Sequence, residues 1–152
     1  MVKPYNFDAA RSEAQRENMR RLAAEGRCFM CYENLMKYEN NRVEFETPHW
    51  IITHNAYPYE GTKHHILLVA RRHVKAISDL TKAERADLPE AIVKVEKHWQ
   101  LDSYGIGMRT GDFRYNGASV EHLHAHIIVG HRDPAIHQPV RMKLASIPKD
   151  AA

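Results

Sequence analysis

Apolar and polar positions change their period several times along the chain. Residues Asp8 to Glu25 hold no Gly or Pro and are rich in Ala, Arg and Glu. Asp8 as N-cap and Gly26 as C′ residue predict one helix that stops just before Cys28. Its apolar face is thin, which suits a helix on the domain surface or against a partner. Short β signals come next. Arg42-Val-Glu-Phe-Glu46 alternates, Trp50-Ile-Ile-Thr53 follows Pro48, Tyr57-Pro-Tyr-Glu-Gly61 has turn chemistry, and His65-Ile-Leu-Leu-Val69 reads as a buried strand.

In Leu80-Thr-Lys-Ala-Glu84, Thr81 and Glu84 form a capping box. Leu88, Ile92, Val95 and Trp99 then recur at helical spacing and predict one core face, with Pro89 expected to kink the helix or split off its first turn. Strands are expected over Tyr104 to Arg109 and Val120 to Val129, joined by the polar loop Thr110 to Gly117. The sum is an α+β fold: a mainly antiparallel five-stranded sheet with helices on one face, plus an N-terminal helix. The expected organisation is a helical extension (1–26), one domain (27–135) and a C-terminal tail (136–152).

Composition adds little until the histidines are counted. The chain has 152 residues, 43% apolar and 27% charged, with a net charge of +3 and scattered Lys and Arg. No basic run tracks a nucleic-acid backbone, so nucleic acid is not expected as a partner, and a positive patch around a phosphate site explains the charge more simply. No apolar core of signal-peptide length and no membrane span is visible, and two closely spaced cysteines do not resemble a secreted framework, so a cytoplasmic protein is expected. Eleven histidines, however, are well above the usual share.

Three of them stand in Val120-Glu-His-Leu-His-Ala-His-Ile-Ile-Val129. On a strand, His122, His124 and His126 would face one way, about 6–7 Å apart, with Leu123, Ala125 and Ile127 packing on the other side. Each buried imidazole needs a hydrogen-bond partner or a metal. Cys28-Phe-Met-Cys31 has the spacing of a zinc half-site, and two thiolates leave two tetrahedral positions for histidines. A Cys2His2 structural zinc is favoured over a disulfide. His65 opens the buried strand, with His64 on the opposite face and His73 beyond Arg71 and Arg72.

Taken together, His122-Leu-His-Ala-His-Ile-Ile128, with Tyr57-Pro-Tyr-Glu-Gly61, His65-Ile-Leu-Leu-Val69 and Arg71-Arg-His-Val74 upstream, resembles the histidine-triad family across roughly residues 27 to 130. The resemblance implies that His124 is the nucleophile, forming a covalent nucleotidyl-histidine at an α-phosphate. It implies that His126 contacts the phosphate or bridging oxygen, that His65 joins them, and that Ser119 hydrogen-bonds the phosphate or leaving group. Asn55 matches the position that binds the ribose hydroxyls. In zinc-carrying branches the ligands match Cys28, Cys31, His73 and His122. Where many hydrolytic relatives carry a glutamine, this chain has Asn116-Gly117-Ala118-Ser119. Backbone amides at Gly117 can still meet phosphoryl charge, and Arg109 is a candidate compensating contact.

The reading is a nucleotide hydrolase or nucleotidyl transferase, with a purine nucleotide favoured, a structural zinc, and a homodimer by resemblance. Phosphorolysis or transfer to a sugar phosphate, a zinc-stabilised binding module without turnover, and a metal-storing histidine cluster are the competitors. Trp50, Tyr57 and Tyr59 are candidates for base stacking near Asn55, with packing the simpler account. His49, His54, His64, His98, His131 and His137 are expected on the surface, and Glu121 as a solvated charge.

Overall fold

The computed structural model describes residues 4–37 and 43–150. Arg42, the expected start of the first strand, lies outside them. The chain enters through a 3₁₀ turn, Phe7–Ala9, capped by Asn6, whose side-chain oxygen accepts from the Asp8 N–H. The helix expected from Asp8 therefore starts later. Helix α1 spans Glu13–Ala24, with the Ser12 hydroxyl accepting from the Gln15 N–H at 3.1 Å. Asn6 is the nearer cap for Asp8, and the extended Ala10 separates the two helical pieces. Gly26 follows at φ 65°, the left-handed residue expected past a helix end. A short helix α2 (Tyr32–Lys37), not read from the sequence, comes next.

Five strands form one antiparallel sheet: β1 (Val43–Glu46), β2 (Trp50–His54), β3 (Thr62–Ala70), β4 (Gly105–Met108) and β5 (His124–Gly130), in the order β1-β2-β3-β5-β4. Helix α3 (Lys82–His98) lies between β3 and β4, and the short α4 (Phe113–Asn116) between β4 and β5. The capping box holds: Glu84 N–H donates to Thr81 Oγ1, and Thr81 N–H to Glu84 Oε2. Pro89 does not split α3, which runs through it unbroken. Among the described residues no helix is long and apolar enough to cross a membrane.

The sheet has a core on each face. Trp50, Ile52, Ile66, Leu68, Leu123, Ala125 and Ile127 pack with Ala91 and Val95 of α3. Ile51, Leu67 and Val69 face the other way and pack with Met19 and Leu22 of α1 and Leu35 of α2. The N-terminal extension thus covers part of the sheet face opposite α3. Covering on both sides explains the unbroken apolar run in β3, since neither set of alternate residues meets water.

Strand β5 begins at His124, not Val120. Leu123 still bonds Ala70 and Val74, but residues 119–121 pair elsewhere. Glu121 N–H donates to the Pro4 carbonyl at 2.7 Å, Asn6 N–H donates to the Ser119 carbonyl at 2.9 Å, and Val120 bridges Tyr5. The N-terminal segment competes for these backbone groups, so His122 stands just outside the strand that carries His124 and His126. The described residues of the C-terminal tail form no helix or strand but are tied down. Ser146 N–H donates to the Tyr115 carbonyl at 2.9 Å, and the Met142 thioether occupies the space a Cβ at Gly107 would fill.

Candidate active site

Register brings the histidines together. His126 pairs with Leu67 and His124 with Val69 across β5 and β3, so both rings stand on the α1 side of the sheet with His65 two residues along β3. His124 is only 7% exposed. Its Nδ1 lies 2.6 Å from the His122 carbonyl, which can only accept, so Nδ1 carries the proton and Nε2 keeps a lone pair. Burial pushes its pKa down to about 4, leaving the ring neutral near pH 7.

A second fixed donor sets the neighbouring pair. Tyr59 N–H donates to His65 Nδ1 at 3.0 Å, so the proton of neutral His65 sits on Nε2. That nitrogen lies 2.8 Å from His126 Nδ1, which must accept, leaving His126 Nε2 as an N–H donor. Burial holds the His65 pKa at about 3 and that of His126 well below its ordinary value. Arg109 Nη1 lies 3.5 Å from His126 Nε2. Two donors at that separation call for an acceptor that both can reach, such as a phosphoryl oxygen.

On the far side of His122 lies a cluster with the chemistry of a metal centre. The ligand atoms of Cys28, Cys31, His73 and His122 fall within 4.8 Å of one another. His122 Nδ1 is 3.1 Å from His73 Nδ1, 3.6 Å from Cys28 Sγ and 3.8 Å from Cys31 Sγ, and Cys31 Sγ is 3.3 Å from His73 Nδ1. Tetrahedral zinc with these ligands needs edges of about 3.3–3.8 Å. His122 Nε2 lies 2.7 Å from the Ala70 carbonyl and so carries the proton, which frees Nδ1 for a metal. Both thiols are free. A hydrogen bond from Cys28, reinforced by His122 and His73, lowers the Cys31 pKa, while the same bond and burial push Cys28 up. The cluster could hold a metal ion.

The remaining expected residues line one pocket beside His124 and His126, namely Asn55, Arg109, Gly117 and Ser119. Asn55 Oδ1 is taken by the Tyr57 N–H at 2.9 Å, which leaves its Nδ2 3.3 Å from His65 Nε2, two donors with no hydrogen bond between them. Arg109 is steered by its Nε donating to the Lys143 carbonyl at 2.7 Å. Gly117 adopts φ 80° at the end of α4. His65 is buried behind Tyr59 and His126, outside the pocket lining, its ring tilted 54° to Tyr59 with centroids 4.4 Å apart.

Packing accounts for two of the aromatic candidates, and the expectation for Glu121 changes. Trp50 lies in the α3-side core, its indole N–H donating to the Glu84 carbonyl, so it cannot stack a base. Tyr59 packs on His126 at 5.6 Å with the rings 17° apart, while Tyr57 borders the pocket. Glu121 is buried and paired with Lys75 at 3.0 Å, because the N-terminal segment covers it. One wall was missed altogether. Arg11, Gln15, Asn18, Met19 and Leu22 line the pocket from the N-terminal extension. No local motif marks them, since only the docking of α1 on the sheet brings them near.

Comparison with known proteins agrees with this geometry. A family model described as the HIT (histidine-triad) domain matches residues 38–133. The chain is 32% identical over 114 residues to a nitrilase and fragile histidine triad fusion protein of Caenorhabditis elegans, covering 72% of this chain and 25% of that relative. It thus spans a quarter of that protein's length. Among solved structures, a histidine triad nucleotide-binding protein from Candida albicans superposes with a TM-score of 0.60 at 18% identity, covering 76% of this chain and 82% of that one. A hypothetical histidine triad nucleotide-binding protein from Sulfolobus tokodaii gives 0.56 at 18% identity, covering 78% and 80%. With its triad at His122, His124 and His126 and most of its length matched by that model, the chain belongs to the histidine-triad family.

Proposed function

We propose that this chain is a nucleotide hydrolase or nucleotidyl transferase in which His124 Nε2 attacks the α-phosphate of its substrate. The observation that carries the reading is the 2.6 Å contact between His124 Nδ1 and the His122 carbonyl. It places the ring's lone pair on Nε2, and a neutral, oriented imidazole is nucleophilic at pH 7. Family membership supports nucleotide hydrolysis or transfer at that coarser level.

In the first step the Nε2 lone pair forms an N–P bond as the P–O, P–N or acyl-phosphate bond to the leaving group breaks, and the electron pair departs with that group, which takes a proton from solvent where it is an amine. The positive charge on the phosphorylated ring is met by the His122 carbonyl, which keeps the Nδ1 proton. His126 Nε2–H and Arg109 supply donors to the phosphoryl oxygens, helped by Ser119 and the Gly117 backbone. Water, phosphate or a sugar phosphate then attacks phosphorus and releases His124.

Residues Cys28, Cys31, His73 and His122 would hold a structural zinc, which when bound anchors the His122 backbone against the Cys28–Cys31 turn. The apolar wall of Met19, Leu22, Phe29, Met30 and Leu67, with Asn55 and Tyr57 at its edge, suits a purine base and ribose. Edge strand β4 exposes Ile106, and a homodimer through that edge is the expected assembly.

The test is intact-protein mass spectrometry at neutral pH with nucleoside phosphoramidates, acyl-nucleotides and dinucleoside polyphosphates, beside a His124→Asn control. A nucleoside-monophosphate mass gain that the control lacks supports the reading and names the nucleotide. Neither adduct nor product across the panel would move the assignment to a binding module without turnover.

A further inference from the structure

Two guanidinium groups border the pocket from opposite ends of the chain. Arg11 comes from the segment leading into α1 and Arg109 from the end of β4. Both approach the Tyr59 ring, Arg11 Cζ at 4.5 Å and Arg109 Cζ at 6.0 Å from its centroid. Arg11 also donates to the Tyr57 carbonyl, and Arg109 to the Lys143 carbonyl, so neutral backbone acceptors hold both groups in place.

Neither arginine has a carboxylate partner among the described residues. Arg16 and Arg20, the next arginines along α1, share Glu13, whereas Arg11 has no such contact. No Asp or Glu lines the pocket among the described residues. The Tyr59 hydroxyl adds an independent sign. It is buried, on a residue 6% exposed, and has no hydrogen-bond partner among the described residues. A buried donor left unmatched in a wall already carrying two guanidinium groups without a carboxylate partner points to an anionic ligand.

We propose that Arg11, with Arg109 and the Tyr59 hydroxyl, forms an anion subsite that binds a phosphate of the leaving group. Arg11 is then a specificity-determining residue supplied from outside the matched domain. This inference rests on the catalytic reading above and narrows it. Attack at an α-phosphate carrying an amine or acyl leaving group presents a single anionic phosphate to the site. His126 Nε2–H, with Ser119 and Gly117 nearby, can meet that charge. Arg109, 3.5 Å from His126 Nε2, reaches that phosphate and borders the next position, so Arg11 is matched only when a further phosphate follows the α-phosphate, and the arrangement selects a phosphate-bearing leaving group by charge.

The test is calorimetric binding at low salt to the full-length chain, using inorganic tripolyphosphate and a purine nucleoside monophosphate as probes. In Arg11→Gln the affinity for tripolyphosphate should fall about tenfold or more, while that for the monophosphate changes by less than about threefold. Arg11→Lys, which keeps the charge, should recover most of the loss, and the wild-type preference should shrink with added salt. An equal loss for both probes would mean Arg11 only supports the wall and would overturn the proposal. So would no loss for either. Because no turnover is needed, a failed search for a His124 adduct would sink the catalytic reading while leaving this result to stand or fall alone.

Discussion

His65 Nε2 lies 2.8 Å from His126 Nδ1, and the order of donors in that contact is dictated from behind by the Tyr59 N–H. A backbone amide cannot change its role, so it forces His65 into one neutral tautomer. His65 in turn forces His126 to present Nε2–H to the pocket. The turn before β3 thus decides the proton position on a residue of β5.

His65 is accordingly a positioning residue, and its removal should act through His126. In His65→Ala, the ¹⁵N spectrum of His126 is expected to lose its single Nε2–H tautomer and show a mixture. Turnover should fall about 10²-fold, chiefly in kcat, since a misplaced donor weakens charge stabilisation more than binding. An unchanged His126 tautomer would refute the relay.

Stability should depend on pH through the same pair. Burial holds the His65 pKa at about 3, below its ordinary 6.5, and lowers that of His126 in the same direction. Between pH 3 and 6.5 the unfolded chain therefore binds more protons than the folded one. Stability is full above 6.5 and is lost progressively as pH falls toward 3. Urea midpoints measured across that interval should decline with acid, and His65→Gln should flatten the slope. A midpoint independent of pH over this range would contradict the assignment of neutral, buried rings.

Zinc removal should unfold before it inactivates. The cluster joins the turn at Cys28–Cys31 to His73 and His122, three segments distant in sequence but within 4.8 Å at their ligand atoms. Elemental analysis is expected to find one zinc per chain. Chelation should lower the thermal midpoint by about 10 °C or more, as loss of a ligand-linked stabilisation of several kcal/mol implies. Cys31→Ser should reproduce the drop. A chelated chain with an unchanged midpoint would remove the cluster's structural role.

Gly117 carries two constraints at once. Its φ of 80° disfavours any side chain, and a Cβ there would meet the Lys143 carbonyl at 3.1 Å. That carbonyl accepts from Arg109 Nε. Gly117→Ala should cost about 1–2 kcal/mol by urea unfolding. It should also weaken tripolyphosphate binding, by shifting the acceptor that steers Arg109. Gly117→Asn, whose side chain tolerates the left-handed region, should lose less stability.

Much of this protein was legible in the sequence because its signals are local. Alternation in Leu123-His-Ala-His-Ile127 placed the apolar residues in the core and two of the histidines on the other face, and Thr81 with Glu84 wrote the start of α3. The Cys28 and Cys31 spacing marked two of the four residues that the fold gathers into a group able to hold a metal ion, because geometry within one turn is set by the chain itself. Tertiary structure alone decided the rest. Whether Val120 and Glu121 join β5 depended on Pro4, Tyr5 and Asn6, more than a hundred residues away, which pair with residues 119–121, while Leu123 pairs with Ala70 and Val74. Glu121 became buried, and Arg11 reached the pocket, only when the N-terminal segment docked. Trp50, alternating correctly, went to the α3 side of the sheet, a choice between two covered faces that period alone does not make. Periodicity fixes which residues share a face, whereas the occupant of each face is set by packing between segments that carry no mark of one another.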